Sequence, residues 1–257
     1  MKRTFLLFAA VLFALTACNT NTITVRYDIL TVDIEFPYSE GGQQRLELDA
    51  EAQFPNSGFS DEALPRTCEI IRAACFGDEY RNFSGSLEEL GETWRDNWHD
   101  KYMTTCAERL KEANVSEADA PFLNWDIKAK GTFGDFYQDG YINYNVEISQ
   151  FMGGANGQNS VTPLVFDLNT GNAVNYNVFT GNASPALLSG LLDKHKFDDI
   201  ELPKGVDKSQ VFSVTTIEPS RYFSVDDEGI TFYYQPAVIA PASFGVIEIP
   251  IPWDELK

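Results

Sequence analysis

The order of strand-like and helix-like segments leaves few folds open to this chain of 257 residues. Apolar and polar residues alternate in many segments, which is typical of half-buried strands. Helical periodicity is confined to two segments in the N-terminal half and one short segment in the C-terminal half. Strands and helices do not alternate regularly, which disfavours a parallel βαβ architecture. The pattern predicts an α+β fold with mostly antiparallel sheets, two helices in the N-terminal half and one short helix in the C-terminal half.

Individual elements follow from alternation, capping residues and turn residues. Tyr141 to Phe151 alternates most clearly, and Gly171 is placed to end a hairpin turn in the left-handed conformation. Ser86 and Glu89 form a capping-box pattern at the start of the longer helix. Helices are predicted to begin near residues 60–62, at 86 and at 185. Strands are predicted over residues 23–36, 45–54, 125–136, 141–151, 161–168, 211–217, 229–234 and 246–251.

The first residues resemble the leader of a bacterial lipoprotein. Lys2 and Arg3 precede an apolar run, and the sequence LTAC places Cys18 after small residues. The run is too short for a transmembrane helix, which requires roughly twenty residues. Residues 1–17 are therefore predicted to be a signal peptide, Cys18 the lipidation site and residues 18–25 a lipidated tether. The residue after the cysteine is Asn, which by resemblance favours the outer membrane, so we expect a cell-envelope protein attached to the membrane through its lipid alone.

The charge balance disfavours one class of partner and favours another. The chain has 38 Asp and Glu against 19 Lys and Arg, and loss of Lys2 and Arg3 with the signal peptide changes the formal net charge from −19 to −21. This excess repels phosphate backbones, so nucleic acid is not an expected partner. It attracts cationic proteins, although a high net charge also serves solubility alone.

Three cysteines remain once Cys18 is lipidated, an odd number for an oxidising compartment. Cys68 and Cys75 are seven residues apart in a predicted helix, about 10 Å, which is too far for a disulfide. Either Cys106 pairs with one of them, or all three are buried thiols.

No catalytic constellation is recognisable. His99 has charged neighbours and is predicted to be solvated, and His195 ends a helix, where the helix dipole favours positive charge. Nucleophile-elbow, phosphate-loop and zinc motifs are missing from the sequence. We therefore expect no enzyme, no bound metal and no cofactor.

Three segments together resemble one family of extracytoplasmic domains. Residues 141–181 are similar to its strand, glycine-rich loop and Phe-Asp-Leu-x-Thr-Gly hairpin, and residues 229–257 to its aromatic strand, Ile-Ala-Pro loop and Ile-Pro-aromatic ending. Residues 54–76 are more weakly similar. The family includes the receptor domain of the lysozyme-sensing anti-sigma factor RsiV and the accessory domain of the peptidoglycan deacetylase PdaC. The resemblance divides the chain into an N-terminal half, residues 26–157, and a C-terminal half, residues 158–257.

The resemblance implies the shared binding domain alone, because neither a sigma-binding segment nor a deacetylase metal cluster is recognisable. Asn156 stands where the family loop has His, so no role for an imidazole is implied there. From the residues alone, the MGGANGQ loop needs no ligand, and the segment PAVIAPASFG is either a buried corner or an exposed loop. The resemblance favours exposure. Partner contacts are expected at Gly153, Gly154 and Asn156, and at Ala240, Pro241, Ser243 and Phe244.

These observations predict a non-catalytic envelope lipoprotein that binds a cell-wall-associated partner. The partner is a basic muralytic protein such as lysozyme, or peptidoglycan itself. The alternative is a cell-wall glycan hydrolase that uses two carboxylates about 5 to 10 Å apart. A structural envelope protein without a small ligand is a third possibility.

Overall fold

The computed structural model describes residues 24–138, 140–181, 183–198, 200 and 207–256. The predicted signal peptide and Cys18 lie outside the described residues. Four α-helices and eight strands occur in the described part of the chain, which confirms the predicted α+β class. These elements are β1 (Arg26–Pro37), β2 (Arg45–Ser57), α1 (Ala63–Phe76), α2 (Leu87–Ala113), β3 (Trp125–Tyr137), β4 (Tyr141–Met152), β5 (Gln158–Asp167), α3 (Asn177–Thr180), α4 (Pro185–His195), β6 (Phe223–Val225), β7 (Gly229–Tyr234) and β8 (Ile247–Pro252).

The strands form two sheets. The larger has the order β1-β2-β3-β4-β5, and the smaller has the order β6-β7-β8. β1 and β2 are antiparallel, whereas β2 and β3 run parallel over Leu46 to Ala52, so the larger sheet is mixed. The smaller sheet is antiparallel throughout.

The chain divides into two compact units that are interleaved in sequence. The first contains the described residues of Met1–Gly58, Cys68–Gly131 and Glu147–Gln158. The second contains those of Phe59–Thr67, Thr132–Val146 and Asn159–Lys257.

The core of the first unit is formed by the inward residues of alternating strands and by the buried side of α2. Alternate residues of β1 and β2 are buried, and α2 packs against these two strands. The capping box at the start of α2 is present, since Ser86 accepts a hydrogen bond from Glu89 N and the Glu89 carboxylate accepts one from Ser86 N. Trp94 of α2 is 2% exposed and is therefore a core residue.

The core of the second unit is formed by the smaller sheet and α4. Leu191 and Leu192 of α4 join the buried residues of β6, β7 and β8 in one apolar cluster. Ser184 caps α4 by accepting a hydrogen bond from Leu187 N, directly before the predicted helix start at residue 185. Gly171 has a φ of 68°, which confirms the predicted left-handed residue of the hairpin turn.

The secondary structure differs from the prediction in three places. Residues 211–217 do not form a strand and belong to neither sheet, and the burial of Val211 and Ile217 accounts for the apolar pattern that suggested one. The short helix α3 and the short strand β6 are not among the predicted elements, since four and three residues carry too little periodicity to reveal them. No helix in the described ranges is long and apolar enough to cross a bilayer.

Candidate functional site

The segment between β7 and β8 is an exposed loop on a buried base. We call Pro236 to Gly245 the apolar loop. Val238 is 55% exposed, whereas the next two residues, Ile239 and Ala240, are 5% and 3% exposed. The sequence left open whether this segment is a buried corner or an exposed loop. Each description is correct in part, because the middle of the segment is buried and its ends are at the surface.

The second half of the apolar loop is a short 3-10 turn over Ala242–Phe244. Phe244 N donates to Pro241 O at 3.0 Å, and Gly245 N donates to Ala242 O at 3.0 Å. Pro241, Ala242 and Ser243 are exposed, while Phe244 is partly buried and packs against the core cluster. The turn therefore presents small and apolar groups from a fixed backbone.

Hydrogen bonds just before the apolar loop and at its buried middle hold it in place. Gln235, just before it, accepts from Val161 N at 3.2 Å and donates to Val161 O at 2.5 Å. Ser213 N donates to Ile239 O at 2.9 Å. A loop with its backbone polar groups paired and its base in the core loses little conformational entropy when a partner binds.

The glycine-rich loop is the turn between β4 and β5. Gly153 has a φ of 69°, and a Cβ there would lie 1.9 Å from Phe122 O. Arg109 Nη1 donates to Met152 O at 2.7 Å and anchors the strand that enters the loop. Gly153 is therefore required for the turn itself, whereas Gly154 and Asn156 are exposed at its tip.

The predicted partner-binding residues thus fall into two groups. Gly154, Asn156, Pro241 and Ser243 are exposed. Phe244 and Gly153 are half-buried, and Ala240 lies in the core, so its side chain is not available at the surface. The glycine-rich loop belongs to the first unit and the apolar loop to the second, so each is a separate candidate surface. Contact with a partner stays a prediction for both.

Cys68, Cys75 and Cys106 are thiols in the structure, with no disulfide among the three. Cys68 Sγ lies 3.8 Å from Pro55 O, whereas Cys106 is completely buried on α2. Burial raises the pKa of the Cys106 thiol to about 11, and the guanidinium of Arg109 opposes the shift. Burial also raises the pKa of Cys68. Of the three thiols, those of Cys75 and Cys106 are buried, whereas that of Cys68 is only partly buried.

The two histidines have structural neighbours. His99, predicted to be solvated, is half-buried and packs against Phe36, with ring centroids 4.5 Å apart. His195 Nδ1 lies 2.6 Å from Asp198 Oδ2, and its Nε2 lies 3.1 Å from Glu255 Oε1. Two carboxylates therefore fix this imidazole at the end of α4.

No cluster of potential metal ligands occurs among the residues that the structure describes. Two carboxyl groups have pKa values below their usual range. The pKa of Glu255 is lowered chiefly by its hydrogen bond from Lys194, and that of Asp207 by the Ser209 backbone N–H. A general acid of a glycosidase requires a shift in the opposite direction.

Comparison with known proteins identifies a domain and a fold. Residues 177–254 match the family model described as "Protein of unknown function (DUF3298)". This range contains α3, α4, the smaller sheet and the apolar loop. Over these residues the chain is similar to a DUF3298 domain.

Two solved structures have a fold similar to that of this chain. A DUF3298 family member from Bacteroides fragilis is 22% identical, with a TM-score of 0.77 over 91% of this chain and 93% of that chain. A DUF3298 family protein from Pseudomonas aeruginosa PAO1 is 16% identical, with a TM-score of 0.54 over 91% of this chain and 93% of that one. No curated protein matches the chain. At these identities the shared property is the fold.

Proposed function

We propose that the protein is a non-catalytic, lipid-anchored protein of the cell envelope that binds a basic, cell-wall-associated protein, with lysozyme as the model partner. The observation that carries the proposal is the apolar loop, where Val238 is exposed beside the buried Ile239 and Ala240. Binding energy at interfaces is concentrated in a few apolar or aromatic groups on rigid supports. The resemblance to a lysozyme-sensing receptor domain supports the same partner.

The charge of the protein supports a cationic partner. A formal net charge of −19, or −21 without the signal peptide, produces a negative potential around the molecule. Such a potential accelerates encounter with a basic protein and suppresses encounter with acidic ones. The charge would set the association rate, and the apolar loop would set the lifetime of the complex.

Binding kinetics test this division of roles. The mature chain without lipid is immobilised, and the association of hen lysozyme is followed as salt increases. We expect the association rate to fall with salt while the dissociation rate changes little. Cytochrome c, a basic protein of unrelated shape, is the control. Equal affinity for both proteins would contradict the proposal, because bulk charge alone would then explain binding.

Two further assays test peptidoglycan binding and glycan hydrolysis as alternative functions. Sedimentation of the protein with purified peptidoglycan in the absence of lysozyme would assign the glycan as the partner. Release of soluble glycan fragments would replace the proposal with a hydrolase that uses paired carboxylates.

Replacement of Cys18 tests the lipid anchor. Cys18→Ala removes the thiol that would be acylated, so the variant should lose metabolic labelling by fatty acid. Cys68→Ala is the matched control and should retain the label. Lipid on the Cys18→Ala variant would contradict the anchor.

A further inference from the structure

β1 forms one edge of the larger sheet, and it is long for an edge strand. Its 12 residues, Arg26–Pro37, pair on one side with β2. No strand in the described part of the chain pairs with its other side. In an antiparallel ladder, alternate residues direct their N–H and C=O groups away from the partner strand. β1 therefore presents a row of backbone donors and acceptors on which a further strand can form.

Carboxylates crowd the open face of the sheet beside this edge. The register places Asp33 directly opposite Asp49 on the neighbouring strand. It places Glu35 opposite Glu47 in the same way. Glu51, two residues after Asp49 on β2, is exposed as well. Like charges directly across an antiparallel pair oppose sheet formation. We call these five carboxylates the acidic face.

Positive charges neutralise the acidic face only in part. Arg45 Nε lies 2.6 Å from Glu47 Oε1 and 3.5 Å from Glu35 Oε2, at one end of the face. Asp33 makes no ion pair with any residue in the described ranges. The register between β2 and β3 places Lys128 directly across from Asp49 and Lys130 directly across from Glu51. Asp33, on the edge strand itself, is therefore the carboxylate of the acidic face with the least compensation in the described part of the chain.

We propose that β1 accepts an extended cationic segment of another protein as an additional strand. The backbone of that segment would complete the ladder of β1, and its Lys or Arg side chains at alternate positions would lie over the acidic face. This site does not include the apolar loop, and the proposal does not depend on the function proposed for that loop. Its partner is defined by two properties together: an extended backbone and a positive charge on every second residue.

The same charges exclude a second copy of this chain from the edge. Two β1 strands paired with one another would bring carboxylates such as Asp33 and Glu35 against carboxylates, which is unfavourable. A cationic strand would instead place opposite charges across the new pair. The acidic face thus distinguishes between the occupants that an open edge could attract.

A synthetic peptide of alternating Lys and Val tests the site. The probe is a ten-residue peptide with capped ends, and its affinity for the full mature chain is measured by calorimetry. Two control peptides are used: one carries Glu in place of Lys, and one keeps the Lys residues but has N-methyl groups on alternate backbone nitrogens, which block the ladder. We expect only the unmodified Lys peptide to bind, and hydrogen exchange of β1 amides to slow when it does.

Matched variants separate this site from bulk charge. The double variant Asp33→Asn, Glu35→Gln removes two carboxylates from the acidic face, whereas Glu108→Gln, Glu112→Gln removes two exposed carboxylates from α2. We expect the first to weaken peptide binding by about tenfold and the second by less than about twofold. Melting temperatures confirm that both variants fold.

Three results would overturn the proposal. Equal binding of the N-methylated peptide would show that no strand is added, and equal loss in both double variants would assign binding to net charge. If the Asp33→Asn, Glu35→Gln variant dimerises while the parent binds no peptide, the acidic face serves only to prevent self-pairing. None of these results bears on the apolar loop, whose assay uses lysozyme.

Discussion

Two adjacent glycines have different roles at the residue scale. Gly153 combines a positive φ with close approach to Phe122 O, whereas a Cβ on Gly154 would have its nearest neighbour, Asn156 O, 3.9 Å away. The sequence shows a glycine-rich turn but not which glycine is essential, because that depends on a contact with a distant segment. The burial of Ala240 does not follow from the sequence for the same reason, since it depends on the core of the second unit.

Alanine substitution should separate the two glycines. Gly153→Ala forces a side chain into a left-handed conformation against a carbonyl group and should lower the free energy of unfolding by about 2–4 kcal/mol. Gly154→Ala should change it by less than about 0.5 kcal/mol. Urea denaturation measures both. Equal effects of the two substitutions would contradict the assigned geometry.

The buried thiol of Cys106 predicts a pH dependence. Its folded-state pKa of about 11 exceeds the ordinary value of 9.0 because burial disfavours the thiolate. The folded state therefore holds the proton more tightly, and this contribution to stability is complete below pH 9 and is lost as the pH rises toward 11. Cys106→Ser carries no such titration, so the variant's unfolding free energy should fall less over this pH range. A parallel decline in both proteins would show that other groups are responsible.

At the scale of elements, the sequence predicts what depends on neighbours along the chain. The capping box of α2, the Ser184 cap and the long alternation of β4 all specify their elements locally. Pairing between strands does not follow from such patterns. The parallel register of β2 with β3 and the opposition of carboxylates across β1 and β2 emerge only when the sheet is assembled. The acidic face was therefore missed by sequence reasoning, although its residues alternate visibly with apolar ones.

The opposed carboxylates predict a gain in stability on charge reversal. Asp33→Lys places a cation directly across from Asp49 and should raise the free energy of unfolding by about 0.5 kcal/mol. The gain should shrink in the Asp49→Asn background, which controls for the strand propensity of lysine. Urea denaturation of the four proteins measures the coupling. An equal gain in both backgrounds would mean that the carboxylates do not interact.

At the scale of the whole molecule, some features could be predicted from the sequence and others could not. The charge excess is a property of composition and could be predicted from the sequence, as could the α+β class. The division into interleaved units could not, because each unit collects segments that are distant along the chain. The DUF3298 match covers the part of the chain that contains the apolar loop, whereas the acidic face lies outside the matched residues.

The most direct test of the proposed function compares how substitutions of two exposed valines change the binding of lysozyme. Val238 and Val178 are 55% and 51% exposed, and both belong to the second unit. Val238→Asp and Val178→Asp change the net charge equally. A difference between the lysozyme dissociation rates of the two variants therefore depends on the position of the substitution. Phe244→Ala should also speed dissociation, but its ring packs partly in the core, which makes Val238 the cleaner site.

We predict that Val238→Asp increases the dissociation rate of lysozyme by about tenfold or more, since it places a charge at an apolar contact. Val178→Asp should change that rate by less than about twofold, and both variants should retain the parent's melting temperature. The measurement is surface-based kinetics at physiological salt. Equal dissociation rates for the two variants would contradict the central claim that the apolar loop forms the binding site.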